Sequence, residues 1–450
     1  MREVLERRFR LREHETTISR EIVGGVTTFL TMSYILFVQP SLLSQAGMDF
    51  QAVLVATCAA SAAATLLMAL AANYPVALAP GMGENFFFVY TLCGSYRLTW
   101  QQALAAIFTA GAAFMALAAF GLRSRIVNAI PNALKTGIAA GIGLFISLIG
   151  MQYGRLVVAN PATLLQLGDL RSPIALITMA GLLLTLGLLA FGVRGAILLG
   201  ILGSTAVAAG FGRVHYSGIV AAPAGLSATL WKMDFAGLFH RDPATVAVVV
   251  FVLFFLALFD TVGTLVGVGR QAGLMRNGAL PRAERALFSD ATGTVVGAAL
   301  GTSTVTCYIE SAAGVSDGAR TGLASMTTGT LLLISMLFAP LARMIGGGVP
   351  VPSAQGGGVA YPTLAPALIL VGAMMMRCAR DMDWEDPTES VPGFLTMILI
   401  PFSFSIAAGV GAGFVLYAAA KLLAGRPKEC PAVVYVFAAL YVIQYAVARQ

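Results

Sequence analysis

Long apolar runs separated by short polar connections repeat along the chain. Fourteen can be marked, near residues 22–46, 52–73, 75–91, 101–121, 131–151, 173–192, 195–212, 244–269, 280–300, 302–315, 321–341, 359–376, 400–424 and 432–448. Most approach about 20 residues, the length at which a helix crosses the hydrocarbon core of a bilayer. Two break the pattern. Segments 75–91 and 302–315 are short, and each opens on an extended-looking run, "PVALAP" and "TSTVT". Pro80 in the first, and clustered β-branched threonines in the second, argue against an uninterrupted helix. Longer polar connections fall at 152–172, 213–243, 342–358 and 377–399. The last holds the acidic run "RDMDWEDPTESVP", and the "GFLTMILIPF" that follows reads as an interfacial stretch before the next span.

A shift of 226 residues superposes the two halves without a gap. "SQAG" at 44–47 lands on "RQAG" at 270–273, and "VALAPGMGENFFF" at 76–88 lands on "TSTVTCYIESAAG" at 302–314. Glu84 thereby falls on Glu310 and Asn85 on Ser311. Seven segments per repeat is an odd number, so the second half must enter the membrane from the opposite face. The expected architecture is all-α and polytopic: fourteen segments as a seven-plus-seven inverted repeat, 21–225 and 244–450, after a tail at 1–20. Two short strand/half-helix segments lie at its centre. Paired interruptions of this kind mark the midplane site of a transporter.

Composition narrows the class. The 450 residues are 58% hydrophobic and 11% charged, with a mean hydropathy of +0.83; a soluble protein carries about 25% charged residues. The net charge of +7 reads as topology rather than as nucleic-acid binding. Residues 1–20 hold six arginines and four glutamates and have no apolar h-region, which excludes a cleaved signal peptide. They read as a cytoplasmic tail, with an interfacial helix as one form it can take. With that tail inside, 17 of the 28 Lys and Arg fall on the cytoplasmic side, Arg123, Arg125, Arg276 and Arg449 among them, while Lys421, Arg426 and Lys428 run against the bias. Both termini are therefore expected in the cytoplasm of a multi-pass protein of the cell's inner membrane. The five cysteines are scattered, without metal or disulfide spacing. His14, His215 and His240 all lie outside the spans, against a histidine metal site or proton relay. No cofactor or metal is expected.

Inside the spans the ionisable side chains reduce to Glu84, Asp260 and Glu310, with Glu21, Lys135 and Asp290 nearer helix ends. A mid-membrane carboxylate costs about 2.5–3.5 kcal/mol on insertion scales, so it needs a cavity or a partner. A neutral acid bridging two helices would also satisfy that need. Two glutamates at repeat-related breaks favour a site instead. A strand leading into a half-helix aims free N–H groups and a positive dipole end at the membrane centre. Glu84, Asn85, Glu310 and Ser311 would meet there, with Phe86, Phe87 or Tyr308 as a flat face. Such a set suits a planar heterocycle whose edge alternates donors and acceptors. Asp260 in "ALFDTVGTLVG" has Tyr34 as its repeat partner. It is a singular acid suited to binding and releasing a transported proton, with Glu310 as a second candidate.

The runs "GGVTTFLTMSYILFVQPSLLSQAGMD", "NYPVALAPGMGENFFF", "FDTVGTLVG", "GTSTVTCYIESAAG", "APALILVG" and "DWEDPTESVPGFLT" resemble signatures of the AzgA-type adenine/guanine/hypoxanthine permeases of the nucleobase–cation symporter group, from about residue 20 to 425. The resemblance implies a purine importer driven by the proton gradient. It also implies a core of segments 1–4 and 8–11 rocking against a gate of segments 5–7 and 12–14, and a homodimer through the gate. It places base recognition on Asn85 and Glu310 and associates Asp260 with transport. Two positions depart from the family pattern: Glu84 precedes the Asn where "GLNAYF" is expected, and Ala257 stands where relatives often carry a second aspartate. On this reading Glu84 substitutes for the missing acid. The alternatives are a same-fold carrier of uracil, xanthine or an organic anion, or a channel. An enzyme is not expected, because the histidine-free spans offer no nucleophile–base pair.

Overall fold

The computed structural model describes residues 2–119, 131–214, 216–275, 280–351 and 357–447. Arg123, Arg125, His215, Arg276 and Arg449, used above for sidedness or exclusion, lie outside the described residues. The first half contains α1 (Arg2–Phe9), α2 (Ile18–Met32), α3 (Ile35–Ser44), α4 (Phe50–Leu67), β1 (Leu78–Pro80), α5 (Met82–Phe86), α6 (Trp100–Ala119), α7 (Asn132–Tyr153), the hairpin β2 (Val157–Asn160) and β3 (Leu164–Leu167), α8 (Pro173–Ala190) and α9 (Ala196–Gly210). The second contains α10 (Phe235–Phe239), α11 (Pro243–Gln271), α12 (Ala283–Leu300), β4 (Val305–Cys307), α13 (Ser311–Ser316), α14 (Gly322–Ser335), α15 (Ala339–Gly346), β5 (Val349–Pro350), β6 (Val359–Ala360), α16 (Ala365–Met375), α17 (Pro387–Ser403), α18 (Ile406–Leu423) and α19 (Ala432–Val447). Eight helical stretches among the described residues are long and apolar enough to cross a membrane. The molecule is a mostly helical, polytopic membrane protein.

The interrupted segments meet. β1 and β4 pair antiparallel, with Leu78 opposite Cys307, Ala79 opposite Thr306 and Pro80 opposite Val305. Under the 226-residue shift Ala79 becomes Val305 and Pro80 becomes Thr306, so the pair Ala79–Thr306 maps onto the pair Val305–Pro80. Strand edges inside a membrane need every backbone group satisfied. Threonines do this on both sides: the Thr65 hydroxyl accepts from the Leu78 N–H at 2.9 Å, and Thr294 donates to the Val305 carbonyl at 2.9 Å.

Around the pair, α2 packs on α13 and α14, α4 on α12 and α14, and α6 on α11 and α12. A second set joins α7 to α16 and α17, α8 to α9, and α18 to α17 and α19. Glycine permits close approach in the first set: a Cβ on Gly314 would collide with the Thr28 hydroxyl and the Gly24 carbonyl oxygen. Glu21 is fully buried and accepts from the N–H groups of Arg320, Thr321 and Ala324 at 2.8–3.2 Å. Its charge therefore offsets the free amides at the start of α14, a structural use of an intramembrane acid.

The structure adds detail to two expectations. The N-terminal tail is bound into the protein: Phe9 and Leu11 are buried against Leu323, and Asn73 donates to the Phe9 carbonyl at 3.0 Å. The "GFLTMILIPF" stretch forms most of helix α17, packed between α7 and α18. Pro392 and Pro401 lie inside it, which is why periodicity did not reveal it. Its first turn uses the acidic run. Lys421 lies 2.8 Å from Glu389 and 3.2 Å from Glu429, and Arg426 lies 3.2 Å from Asp386. Two of the cations that ran against the topological bias are thus neutralised locally. Hydrogen bonds from Thr388, and then the positive charges of Lys421 and Arg426, hold the Asp386 carboxyl below its ordinary range.

Candidate functional site

A cavity of about 600 Å³ opens between the strand pair and α7. Its lining includes Glu84 of α5, Asp260 of α11 and Glu310 at the start of α13, together with the rings of Tyr34, Phe259 and Tyr308 and the ammonium of Lys135. The breaks deliver these groups. β4 ends at Cys307, so Tyr308 and Glu310 follow in the turn before α13; β1 ends at Pro80, and Glu84 sits in the first turn of α5.

Each acid is held differently. Glu310 accepts from the Tyr34 hydroxyl at 2.7 Å, and Asp260 accepts from Thr306 at 3.0 Å. Glu84 folds back over Gly81, where a Cβ would collide with its Oε2, and its buried Oε1 has no hydrogen-bond partner among the described residues. Its electrostatic neighbours are Asp260 first and then Asp290. Tyr308 donates to the Pro80 carbonyl at 2.6 Å, which ties the two breaks together and fixes the ring. Tyr34 and Tyr308 lie 6.5 Å apart, centroid to centroid. Asp260 is exposed to the cavity.

The cavity has a mouth and a closed end. It runs past Gly263 and Val266 of α11, Lys135 and Thr136 at the start of α7, and Met375 at the end of α16. The N-terminal tail lies on that same side: Gln271 bonds Ser316 at 2.7 Å, and Thr16 bonds the Gly318 carbonyl at 3.4 Å. At the other end Phe86 stacks on Tyr90 at 6.1 Å, and Phe145 meets Phe86 and Phe404 edge-on at 6.1 and 5.6 Å.

Comparison with known proteins decides the family. Residues 19–414 match the group described as the "Permease family". The chain is 40% identical over 442 residues to the guanine/hypoxanthine permease PbuO of Bacillus subtilis, covering 97% of this chain and 99% of that one. It is 40% identical over 442 residues to the adenine permease AdeP of Escherichia coli, covering 98% and 96%. The chain belongs to this permease family. The permease also shares its fold with the transmembrane domain of the cyanobacterial bicarbonate transporter BicA, at TM-score 0.65, 15% identity and coverage of 87% and 97%. The murine anion transporter Slc26a9 in its inward-facing state gives TM-score 0.60 at 10% identity, covering 91% and 68%. The chain is a transporter, not an enzyme.

Three of the residues selected from the permease's sequence, Glu84, Asp260 and Glu310, share the cavity wall. Three others do not line it. Asn85 lies behind the strand pair, where its carbonyl accepts from Ser303 and Ser303 in turn accepts from Gln39. The Ser311 hydroxyl accepts from the Ala77 N–H at 3.0 Å. Phe86 belongs to the aromatic closure. Ala257 is not among the cavity-lining residues and packs with Phe114, Leu258 and Ala291. Tyr34 and Lys135 were the groups missed as site residues. Tyr34 carried a signal, its correspondence with Asp260 at the 226-residue offset. Lys135 carried one too, as a lone cation in an apolar segment; it stands 5.2 Å over the Phe259 ring.

Proposed function

We propose that this permease imports purine nucleobases, adenine, guanine or hypoxanthine, by proton symport across the cell's inner membrane. The observation that carries the reading is the cavity itself. Three carboxylates and two tyrosines surround a space of about 600 Å³, which suits a flat ring read by its polar edge. The names of the relatives support the purine class. Three acids against one lysine would repel an anion, which counts against the bicarbonate and anion chemistry of the structural neighbours.

The offset of 226 and the self-consistent register of β1 with β4 support a seven-plus-seven inverted repeat with both termini in the cytoplasm. The two packing sets correspond to a core and a gate, and a homodimer through the gate helices belongs to the same reading. With the tail in the cytoplasm, a mouth on the tail side makes this the inward-facing state. Closing Lys135 and α16 onto the core, while the Phe86–Tyr90–Phe145–Phe404 closure opens, would give alternating access.

The acids divide the work. Glu310, held by Tyr34, presents its free oxygen to donors on the base. Asp260 and Glu84 repel as a doubly charged pair and hold one proton between them, the one carried with the base. Asn85 enters the site when the strand pair shifts. Uptake of labelled adenine, guanine and hypoxanthine by cells lacking their own purine permeases tests this. Accumulation abolished by a protonophore is expected. No accumulation of any purine would overturn the substrate class, and accumulation that follows Na⁺ and ignores the protonophore would overturn the coupling.

A further inference from the structure

A second cavity, of about 790 Å³, lies away from the acids, between α6, α11 and α19. Its wall on α11 runs from Pro243 through Val246 and Val250 to Phe254 and Phe255, one face of the helix at i, i+3/i+4 spacing. At 1.5 Å per residue that stripe is about 18 Å long, close to the roughly 15 Å of one bilayer leaflet. Phe437 of α19 and the exposed Ala113 of α6 complete the groove. Its walls are apolar until the end at the start of α11, where Arg241 stands.

Arg241 is exposed there, and its Nη2 donates to the Arg97 carbonyl at 3.1 Å and to Gln102 Oε1 at 3.4 Å. No carboxylate pairs with it among the described residues: Asp234 caps α10 through the Gly237 N–H, and Asp242 caps α11 through the Thr245 N–H. A guanidinium at the end of a leaflet-length apolar groove matches an anionic lipid, head on the cation and chain along the stripe. We infer that this groove binds one acyl chain of an anionic phospholipid, with its phosphate on Arg241, in the leaflet opposite the mouth of the acid cavity.

The placement gives the lipid a consequence. α6 and α11 belong to one packing set and α19 to the other, so the chain would sit in the seam between blocks that slide during transport. A lipid in the seam changes how readily the blocks move, without touching the substrate cavity.

Two exposed alanines allow a test that spares the core. Ala113 and Ala247 both face the groove, so Ala247→Phe fills it while leaving Arg241 in place, and Arg241→Gln removes the charge while leaving the groove open. Purified permease in detergent would be incubated with equimolar phosphatidylglycerol and phosphatidylcholine of the same chain length, and the bound lipid counted by native mass spectrometry. Wild type is expected to retain phosphatidylglycerol over phosphatidylcholine by about tenfold. Arg241→Gln should abolish the preference, Arg241→Lys should keep most of it, and Ala247→Phe should lower retention of both lipids. Equal retention of the two lipids by wild type, or a preference unchanged in both Arg241→Gln and Ala247→Phe, would overturn the inference. So would wild type running as a dimer that Ala247→Phe dissociates, because a second copy of the chain would then occupy the groove.

Discussion

Glu84 stands to Asp260 as Glu310 stands to Tyr34. The shift of 226 residues carries Tyr34 onto Asp260 and Glu84 onto Glu310, so the contact Tyr34–Glu310 has the electrostatic pair Asp260–Glu84 as its counterpart. In one copy a phenol donates to the acid at 2.7 Å. In the other the phenol is replaced by a second acid, and Glu84 Oε1 is left without a partner among the described residues. The first copy is closed by a hydrogen bond; in the second, on the proposed coupling, the two acids would share the transported proton.

That asymmetry predicts a separation of functions. Asp260→Asn should bind purine and exchange it across the membrane but lose accumulation against a gradient. Glu84→Gln should lose at least about tenfold in protonophore-sensitive accumulation. Exchange and net uptake measured side by side in vesicles check this. Full accumulation in either variant would remove the proton from the pair.

Lys135 is the single cation on the cavity wall among the described residues, and it rests on an aromatic face rather than a carboxylate. On the proposed rocking motion, a lysine held there faces the acids across the gap that would close. Lys135→Met is expected to slow turnover severalfold while leaving base affinity within about twofold; Lys135→Arg should recover most of the rate. A large rise in KM at unchanged maximal rate would make it a binding group instead.

Gly81 has an ordinary extended backbone, φ −68° and ψ 134°, so alanine would not strain the chain. The obstacles to the added methyl are the Glu84 carboxylate first and the Thr306 hydroxyl, at 2.9 Å, second. Gly81→Ala should cut uptake about tenfold or more by driving Glu84 out of place. Combining it with Glu84→Ala should cost less than the sum of the two single changes, leaving only the Thr306 contact unrelieved, and uptake by the double variant checks that coupling.

Glu21 predicts the opposite profile. Three backbone amides donate to it, and hydrogen bonds to a charged group contribute about 1.5–3 kcal/mol. Glu21→Gln should lower the melting temperature in detergent and the amount of folded protein, with KM unchanged per folded molecule. A changed substrate affinity would show that Glu21 reaches the site.

The sequence carried the segments and the acids further than it carried the faces. Charged residues are costly in apolar runs, so Glu84, Asp260 and Glu310 stood out by scarcity, and the interruptions at Pro80 and the threonine cluster were audible as broken periodicity. Orientation was not legible. Asn85 follows Glu84 by one residue, about 100° around the helix, and that turn takes it from the cavity wall to Ser303. Ala257 lies one turn before Asp260 on nearly the same side of α11, and only the packing of Phe114 against it closes it in. Helix α17 was hidden by its two prolines and acidic first turn, whose charges find Lys421 and Arg426 only in three dimensions.

The β1–β4 pair also bears on how the protein is made. Pro80 and Val305 are opposite each other in space but far apart in the order of synthesis. At about 5–20 residues per second, β1 emerges tens of seconds before the strand that will satisfy it exists. Until then its backbone donors and acceptors have only water, Thr65 or the insertion machinery for company. The first half of the molecule therefore waits, incomplete, for the second, and a chain cut short before residue 305 should be handed to the cell's membrane proteases rather than kept as a half-transporter.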